Sequence, residues 1–111
     1  MATSTIKNYM DGNRVHYDAT ANSTYVSQIA YQTIDKFGEI VVAQLNFRIS
    51  ASATSNVVWM SGFPIPKVRV CFFIICGTTP IRCMIDEQGN FCSDTGYSVT
   101  GWCSGNVSYR V

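Results

Sequence analysis

One short segment combines the residue types that bind sugars. Asp94, Thr95 and Tyr97 lie within four positions of one another, and Trp102 follows shortly after. An aromatic ring can stack on the apolar face of a pyranose, while carboxylate and hydroxyl groups bind its hydroxyls. Trp102 and Tyr97 could instead be buried or lie at a subunit contact, and this alternative stays open. We predict a ligand-binding site at Asp94, Thr95, Tyr97 and Trp102.

Residues suited to catalysis are sparse. The single histidine, His16, shares no recognised motif with a serine or cysteine nucleophile, which favours a surface or strand histidine over a general base. Asp86 and Glu87 are adjacent in a turn-rich stretch and would project apart, whereas hydrolytic carboxylates face each other across ~5–10 Å. We therefore predict no catalytic residue, no metal site, no cofactor and no enzymatic activity.

Five cysteines could suggest a disulfide framework, but their pattern argues against one. They are Cys71, Cys76, Cys83, Cys92 and Cys103. The count is odd, no Cys-x-x-Cys pair occurs and the histidine is far away in sequence, so zinc-ligand spacing is missing. No secretory signal points to an oxidising compartment. We predict five free, mostly buried thiols, and leave open whether Cys83 and Cys92, which flank a predicted hairpin, form a pair.

Composition limits the class of protein. The 111 residues suffice for one domain, and 47% of them are hydrophobic, as expected for a chain with a single core. The net charge of +1, without any run of like charge, argues against a nucleic-acid partner. The longest apolar run, Val70 to Cys76, is far shorter than the ~20 residues of a membrane helix. We expect a soluble product made in the cytoplasm, or a piece of a longer chain, with no membrane insertion.

Strand periodicity supplies the elements that must position these residues. From Val41 to Ala51 every odd position is apolar, the pattern of a strand with one buried face. Lys67 to Cys76 is apolar on both faces, so we expect either a sandwich strand covered on both sides or a face that meets a neighbouring subunit. Gly89 can supply the positive φ of a turn, which predicts a hairpin over Ile81 to Ser93.

The remaining pattern consists of strands and turns. Two last strands are predicted at Tyr97 to Cys103 and at Val107 to Val111. Eight or so strands, spaced by 8 to 12 residues, favour a sandwich or a jelly roll. We predict an all-β, antiparallel β-sandwich of the jelly-roll kind, with residues 1–111 as one domain.

The order of several segments resembles a known family. The segments are Gly38-Glu39-Ile40-Val41-Val42 with the Leu45-Asn46-Phe47 strand, Ser61-Gly62-Phe63-Pro64-Ile65-Pro66, the Ile85 to Phe91 hairpin and the closing Val107-Ser108-Tyr109-Arg110-Val111. Over residues 25 to 111 the pattern is similar to the C-terminal head domains of bacteriophage tail fibres and receptor-binding proteins. The sequence departs from the usual pattern at Phe63, where many members have leucine, and in its number of cysteines.

The resemblance implies a function. Such a head domain is a β-sandwich, usually a homotrimer, at the tip of a virion fibre, and binds saccharides or proteins of the host cell surface. The expectation is thus a non-enzymatic receptor-binding tip, with residues 1–24 as a possible lead-in from a fibre shaft. The alternative is a structural trimerisation or decoration module of a phage particle. The host, the receptor and the loops that form the tip are not predicted.

Overall fold

The computed structural model describes residues 14–111, which form nine β-strands and no helix. The strands are β1 (Arg14–Tyr17), β2 (Thr20–Ala21), β3 (Val26–Phe37), β4 (Ile40–Ile49), β5 (Val58–Ser61), β6 (Val70–Cys76), β7 (Thr79–Ile85), β8 (Phe91–Ser93) and β9 (Gly101–Arg110). All pairings between them are antiparallel. The prediction of an all-β, antiparallel fold is confirmed. This part of the chain holds no helix long and apolar enough to span a membrane.

The strands form one sheet in the order β1-β3-β4-β9-β6-β7-β8-β5-β2. Hairpins join β3 to β4, β6 to β7 and β7 to β8. The last of these confirms the hairpin predicted over Ile81 to Ser93, with Ile85 opposite Phe91. Gly89 has a φ of 80°, and a Cβ at this position would collide with the carbonyl oxygen of Phe63. Glycine is therefore required in this turn for both its conformation and its size.

The sheet curls around one core. Phe47 of β4 packs on Trp59 of β5 and on Phe91 of β8, with ring centroids 5.8 and 5.6 Å apart. Five steps separate β4 from β5 in the sheet order, which would place them about 24 Å apart if the sheet were flat. The two halves of the sheet therefore face one another, and their aromatic rings fill the space between them.

The alternating pattern of β4 places its apolar residues as predicted. The odd positions from Val41 to Ile49 are buried, while the even positions are exposed or half-buried. The strand ends at Ile49, two residues before the predicted end. One face of β4 thus supplies the core, because a strand turns successive side chains to opposite faces.

Strand β6 is covered on one face only. Ile74 and Cys76 are buried, whereas Phe73 and Ile75 on the other face remain 60% and 44% exposed. The prediction of a strand covered on both sides is therefore wrong within residues 14–111, since none of their strands lies over this outer face. The alternative, in which this face meets a neighbouring subunit, stays a prediction. The strand also begins at Val70, three residues later than predicted.

The two final strands predicted from the sequence are one strand in the structure. β9 runs without a break past Gly105 and pairs with β4 over its whole length. A Cβ at Gly105 would lie 2.7 Å from Cγ2 of Ile74. The absence of a side chain at Gly105 therefore leaves room for β6 to pack on β9.

Part of the N-terminal segment belongs to the sheet. β1 pairs with β3, and β2 pairs with β5, so residues 14–24 contribute both edge strands. The rest of the predicted lead-in from a shaft, residues 1–13, lies outside the described residues. The jelly-roll sandwich, the single domain over 1–111 and the trimer stay predictions.

Candidate functional site

A cleft of about 220 Å³ opens between the first half of β7 and the chain that follows β8. Its walls are Thr79–Arg82 on one side and Thr95–Val99 on the other. Two of the predicted site residues, Thr95 and Tyr97, belong to the second wall. A third, Asp94, immediately precedes it. The structure thus brings three of the four predicted residues to one place.

The cleft exists because β8 is short. This strand pairs only with Cys83–Ile85, although β7 begins four residues earlier. Just past β8, the N–H of Asp94 donates to the carbonyl of Arg82 at 3.0 Å. Tyr97 instead exchanges two backbone hydrogen bonds with Ala53, of 2.8 and 3.1 Å. The chain therefore leaves β7, and a gap remains along the uncovered edge.

Gly96 allows this segment to lie directly on the backbone of the 53–54 loop. A Cβ at Gly96 would lie 2.7 Å from the carbonyl oxygen of Thr54 and 2.8 Å from that of Ala53. Real side chains do not tolerate such distances, so a larger residue would push the segment away from the loop. The wall of the cleft is therefore held by close packing as well as by hydrogen bonds.

Tyr97 connects the cleft to the core. Its hydroxyl donates to the carbonyl of Ala51 at 2.8 Å and accepts a hydrogen bond from Nε1 of Trp59 at 3.0 Å. The two aromatic rings meet edge to face, with centroids 5.4 Å apart. Burial raises the pKa of the Tyr97 phenol, which keeps it neutral and able to donate. Tyr97 is half-buried, so it both supports the wall and lines the cleft.

Arg82 also lines the cleft, although it was not predicted as a site residue from the sequence. Its Nε lies 2.8 Å from Oδ2 of Asp94, and the two side chains are 57% and 23% exposed. The signal was present in the hairpin, because counting outward from the Ile85–Phe91 pair places Arg82 opposite Asp94. The pair puts a hydrogen-bond donor and an acceptor side by side, and its summed charge is zero.

Trp102 is separate from the cleft. It lies on β9 opposite Arg48 of β4, on the outer face of the sheet, and is 46% exposed. Its carbonyl accepts a hydrogen bond from the N–H of Gly77, at the turn between β6 and β7. Phe73 and Ile75 of β6 share this outer face. Trp102 thus belongs to an exposed apolar surface that does not include the other three predicted site residues.

His16 is a strand residue between two carboxylates. It lies on β1, where its Nδ1 contacts Oδ1 of Asp35 and its Nε2 contacts Oδ1 of Asp18, both at 3.0 Å. These hydrogen bonds raise the pKa of the imidazole, that to Asp35 most. Carboxylates accept at both ring nitrogens, which requires the doubly protonated imidazolium. This surface position agrees with the strand histidine predicted from the sequence.

The predicted turn residues lie in the turn between β7 and β8. Oδ1 of Asp86 accepts hydrogen bonds from the N–H groups of Gln88 and Asn90, at 3.0 and 2.9 Å. Glu87 lies 3.4 Å from Arg69 in an exposed ion pair. Among residues 14–111, no group of three or more His, Cys, Asp or Glu side chains could hold a metal ion.

None of the five cysteines forms a disulfide bond, and four of the five are buried. Cys83 lies opposite Ser93, and Cys92 lies opposite Met84, so the two thiols point to opposite faces of the sheet and do not pair. Burial raises the pKa of Cys92 to about 11 and raises that of Cys83 as well. Both therefore remain protonated at neutral pH, and thiolate chemistry is suppressed at these two positions.

Comparison of the chain with protein families, with characterised proteins and with solved structures returned no match.

Proposed function

We propose that the chain is the receptor-binding tip domain of a bacteriophage tail fibre. In this proposal it binds a saccharide or a protein of the host cell surface and catalyses no reaction. The observation that carries the proposal is the cleft, whose walls combine three residues with hydroxyl side chains and Tyr97 beside the Arg82–Asp94 pair. These are the groups expected at a recognition site for hydroxyl-rich ligands.

The construction of the cleft also supports recognition. One wall is a strand paired along its whole length with β6, and the other is a loop fixed by hydrogen bonds and by the close contact at Gly96. Recognition commonly uses loops held on a rigid scaffold, because little conformational entropy is then lost on binding. The order of segments between residues 25 and 111, which resembles tail-fibre head domains, supports the assignment to a phage particle.

The domain would act as a homotrimer at the fibre tip of the virion, after synthesis in the bacterial cytoplasm. Phe73, Ile75 and Trp102 form the outer apolar patch, which is exposed in the single chain. Contiguous apolar surface of this kind commonly marks an interface. In the proposal, the outer apolar patch contacts neighbouring copies, and neither nucleic acid nor a membrane is a partner.

Attachment to cells tests the proposal. Fluorescently labelled protein is applied to a panel of bacterial strains, and attachment is compared with that of a double variant, Asp94→Ala with Thr95→Ala. We expect attachment to fall at least about tenfold in this variant, since each lost polar contact contributes on the order of 1 kcal/mol. Glu87→Ala serves as the control, because it removes a carboxylate from an ion pair outside the cleft. Undiminished attachment of the double variant would contradict the proposed site.

The second candidate function is a structural module of a phage particle without receptor binding. The outer apolar patch favours it, since this surface could serve assembly alone. Light scattering on the Phe73→Ser, Ile75→Ser double variant should give a monomer where the unmodified chain gives a trimer. Val68→Ser is the control, because Val68 is also apolar and is 73% exposed but lies outside the strand. This second function would be favoured if the trimer attaches to none of the bacterial strains and the cleft variants still assemble normally.

A further inference from the structure

The size of the cleft limits its occupant. Its volume of about 220 Å³ is below the ~300–1,000 Å³ of pockets that hold drug-sized ligands. A single sugar ring fits this space, whereas a longer chain must extend beyond the opening. Pro80 lies in the uncovered edge of β7 and has no N–H group, so a peptide strand added to this edge would lack a donor there.

The lining of the cleft suits a ring with one apolar face and several hydroxyls. Thr79, Thr95 and Ser98 each carry a hydroxyl, which can donate one hydrogen bond and accept two. The hydroxyl of Thr95 donates to the carbonyl of Gly96 at 3.3 Å, which leaves its oxygen available as an acceptor. The apolar parts of the wall, Pro80 and Tyr97 among them, can contact the C–H groups of a pyranose.

The Arg82–Asp94 pair selects the pattern of hydroxyls. Its guanidinium only donates hydrogen bonds, and its carboxylate only accepts them. Two hydroxyls on neighbouring carbons can satisfy both at once, because one accepts from Arg82 while the other donates to Asp94. The 2.8 Å separation of Nε and Oδ2 brings the two partners close enough for such a diol. A single hydroxyl can bond both groups only by accepting and donating at once, whereas a diol gives each group a hydroxyl of its own.

The same pair disfavours an acidic sugar. A carboxylate that approached Arg82 would also approach Asp94, which stays 23% exposed at the same place. The repulsion between the two carboxylates offsets the attraction to the guanidinium, since the pair carries no net charge. A neutral ligand avoids this repulsion and keeps both hydrogen bonds.

We infer that the cleft binds one neutral pyranose unit, and that the Arg82–Asp94 pair binds a vicinal diol of this sugar. This inference rests on the proposed function and narrows its ligand to a class of saccharide.

The inference can be tested by NMR titration of the full chain with soluble methyl glycosides. The probes are a series of neutral methyl pyranosides that differ in configuration, the matching mono-deoxy compounds and the methyl glycoside of a hexuronic acid. We expect at least one neutral pyranoside, at up to tens of millimolar, to shift the amide signals of Thr79, Ile81, Arg82 and Thr95–Val99. The deoxy compound that lacks one hydroxyl of the recognised diol should bind about tenfold more weakly.

One variant tests the ion pair, one tests the wall and one is a control. Asp94→Asn keeps the shape of the side chain but weakens the acceptor, and should reduce affinity about tenfold. Thr95→Val, which removes one hydroxyl from the wall, should reduce affinity less. Glu87→Gln, the matched change in the exposed pair with Arg69, should leave affinity unchanged. The amide spectrum of each variant shows whether it is folded.

Several results would overturn the inference. They are the absence of shifts at the cleft with every neutral pyranoside, tighter binding of the uronic acid, and unchanged affinity of every deoxy compound or of a folded Asp94→Asn variant. The proposed function fails separately. Cell attachment without pyranoside binding would overturn only the inference, while pyranoside binding in a chain whose attachment does not depend on the cleft would overturn only the proposed function.

Discussion

The two halves of β7 have the same neighbouring strand on one side, but on the other side only one half has a neighbouring strand. β6 pairs with the whole of Thr79–Ile85. On the opposite side, β8 pairs with Cys83–Ile85, whereas Thr79–Arg82 faces the Thr95–Val99 segment across the cleft. All three side chains of the covered half are buried, whereas in the uncovered half only Ile81 is buried and the other three are exposed. A complete ladder of backbone hydrogen bonds thus stabilises one half. The early end of β8 leaves open space beside the other half.

Ser93 ends β8 and bonds on the side away from β7. This buried residue ends β8, and its N–H donates to the carbonyl of Val57 at 3.0 Å. Its hydroxyl in turn accepts a hydrogen bond from the N–H of Val57, also at 3.0 Å. Both groups bond toward the chain that leads into β5, and the next residue, Asp94, makes the last backbone hydrogen bond to β7. A cleft can therefore follow from one strand that ends early.

The largest effect on stability is expected at Phe91, on the strand β8 that covers one half of β7. Phe91 is fully buried, and its ring packs on Phe47, Trp59, Phe63 and Phe72, with centroid distances of 5.2 to 5.7 Å. Phe91→Ala should lower the free energy of unfolding by about 3–5 kcal/mol, because it removes buried apolar surface and leaves a cavity. Denaturant unfolding followed by tryptophan fluorescence measures the change.

Phe73→Ala is the matched control for that substitution. Phe73 is the same residue type on β6 but is 60% exposed on the outer face. At a concentration where the protein is a monomer, its substitution should change the free energy of unfolding by about 0.5 kcal/mol or less. Equal losses for Phe91 and Phe73 would contradict the division into a covered inner face and an exposed outer face.

A smaller effect is expected at Tyr97, where the uncovered half is joined to the core. Tyr97→Phe leaves the carbonyl of Ala51 and Nε1 of Trp59 without their partner. The free energy of unfolding should fall by about 1–3 kcal/mol, the usual cost of an unsatisfied buried polar group. Amide hydrogen exchange in Thr95–Val99 should become faster, since the segment loses its attachment to the core.

Tyr31→Phe controls for the loss of a hydroxyl. Tyr31 lies on β3 with its side chain 54% exposed, so water can replace any contact of its phenol. This variant should unfold like the unmodified chain. If Tyr97→Phe does so as well, the wall of the cleft is held by the backbone bridge to Ala53 and by Gly96 alone.

Local patterns predicted the covered parts of the fold well. The alternation in β4 was sufficient because a strand with one buried face has only one register that keeps its apolar residues inside. The β7–β8 hairpin was equally clear, since Gly89 marks a turn between two apolar segments. Both features depend on residues that are neighbours in sequence.

Features that depend on distant strands were not predicted. β9 inserts between β4 and β6, and only this placement explains why Gly105 lies inside a strand. Trp102 lies five residues after Tyr97, yet the course of the chain places it on the outer face. Arg82 is a different case, because the local hairpin already places it opposite Asp94 once the pairing is extended by one pair beyond β8. Sequence patterns indicate which face a side chain takes, but not which strand lies beside it.

The smallest effect is expected at β1, an edge strand with ionic contacts. His16 of this strand contacts Asp35 and Asp18, and both contacts require the protonated ring. These hydrogen bonds raise its pKa above the ordinary value of 6.5 in the folded chain. The stabilisation should therefore be fully present below pH 6.5 and disappear as the pH rises through the higher folded pKa. Because this region is exposed, we expect only a small fall in Tm over that range.

The single histidine makes this prediction easy to measure, since its ring protons give one resolvable set of NMR signals. Their titration should give a midpoint above that of the denatured chain. Asp35→Asn should move the midpoint back toward the ordinary value, because it removes the larger of the two contributions. Asp86→Asn, which changes a carboxylate in the distant β7–β8 turn, should leave it in place. A midpoint at or below that of the denatured chain would mean that β1 is held by its backbone pairing with β3 alone, and that this edge, unlike the cleft edge of β7, does not depend on an ionic pair.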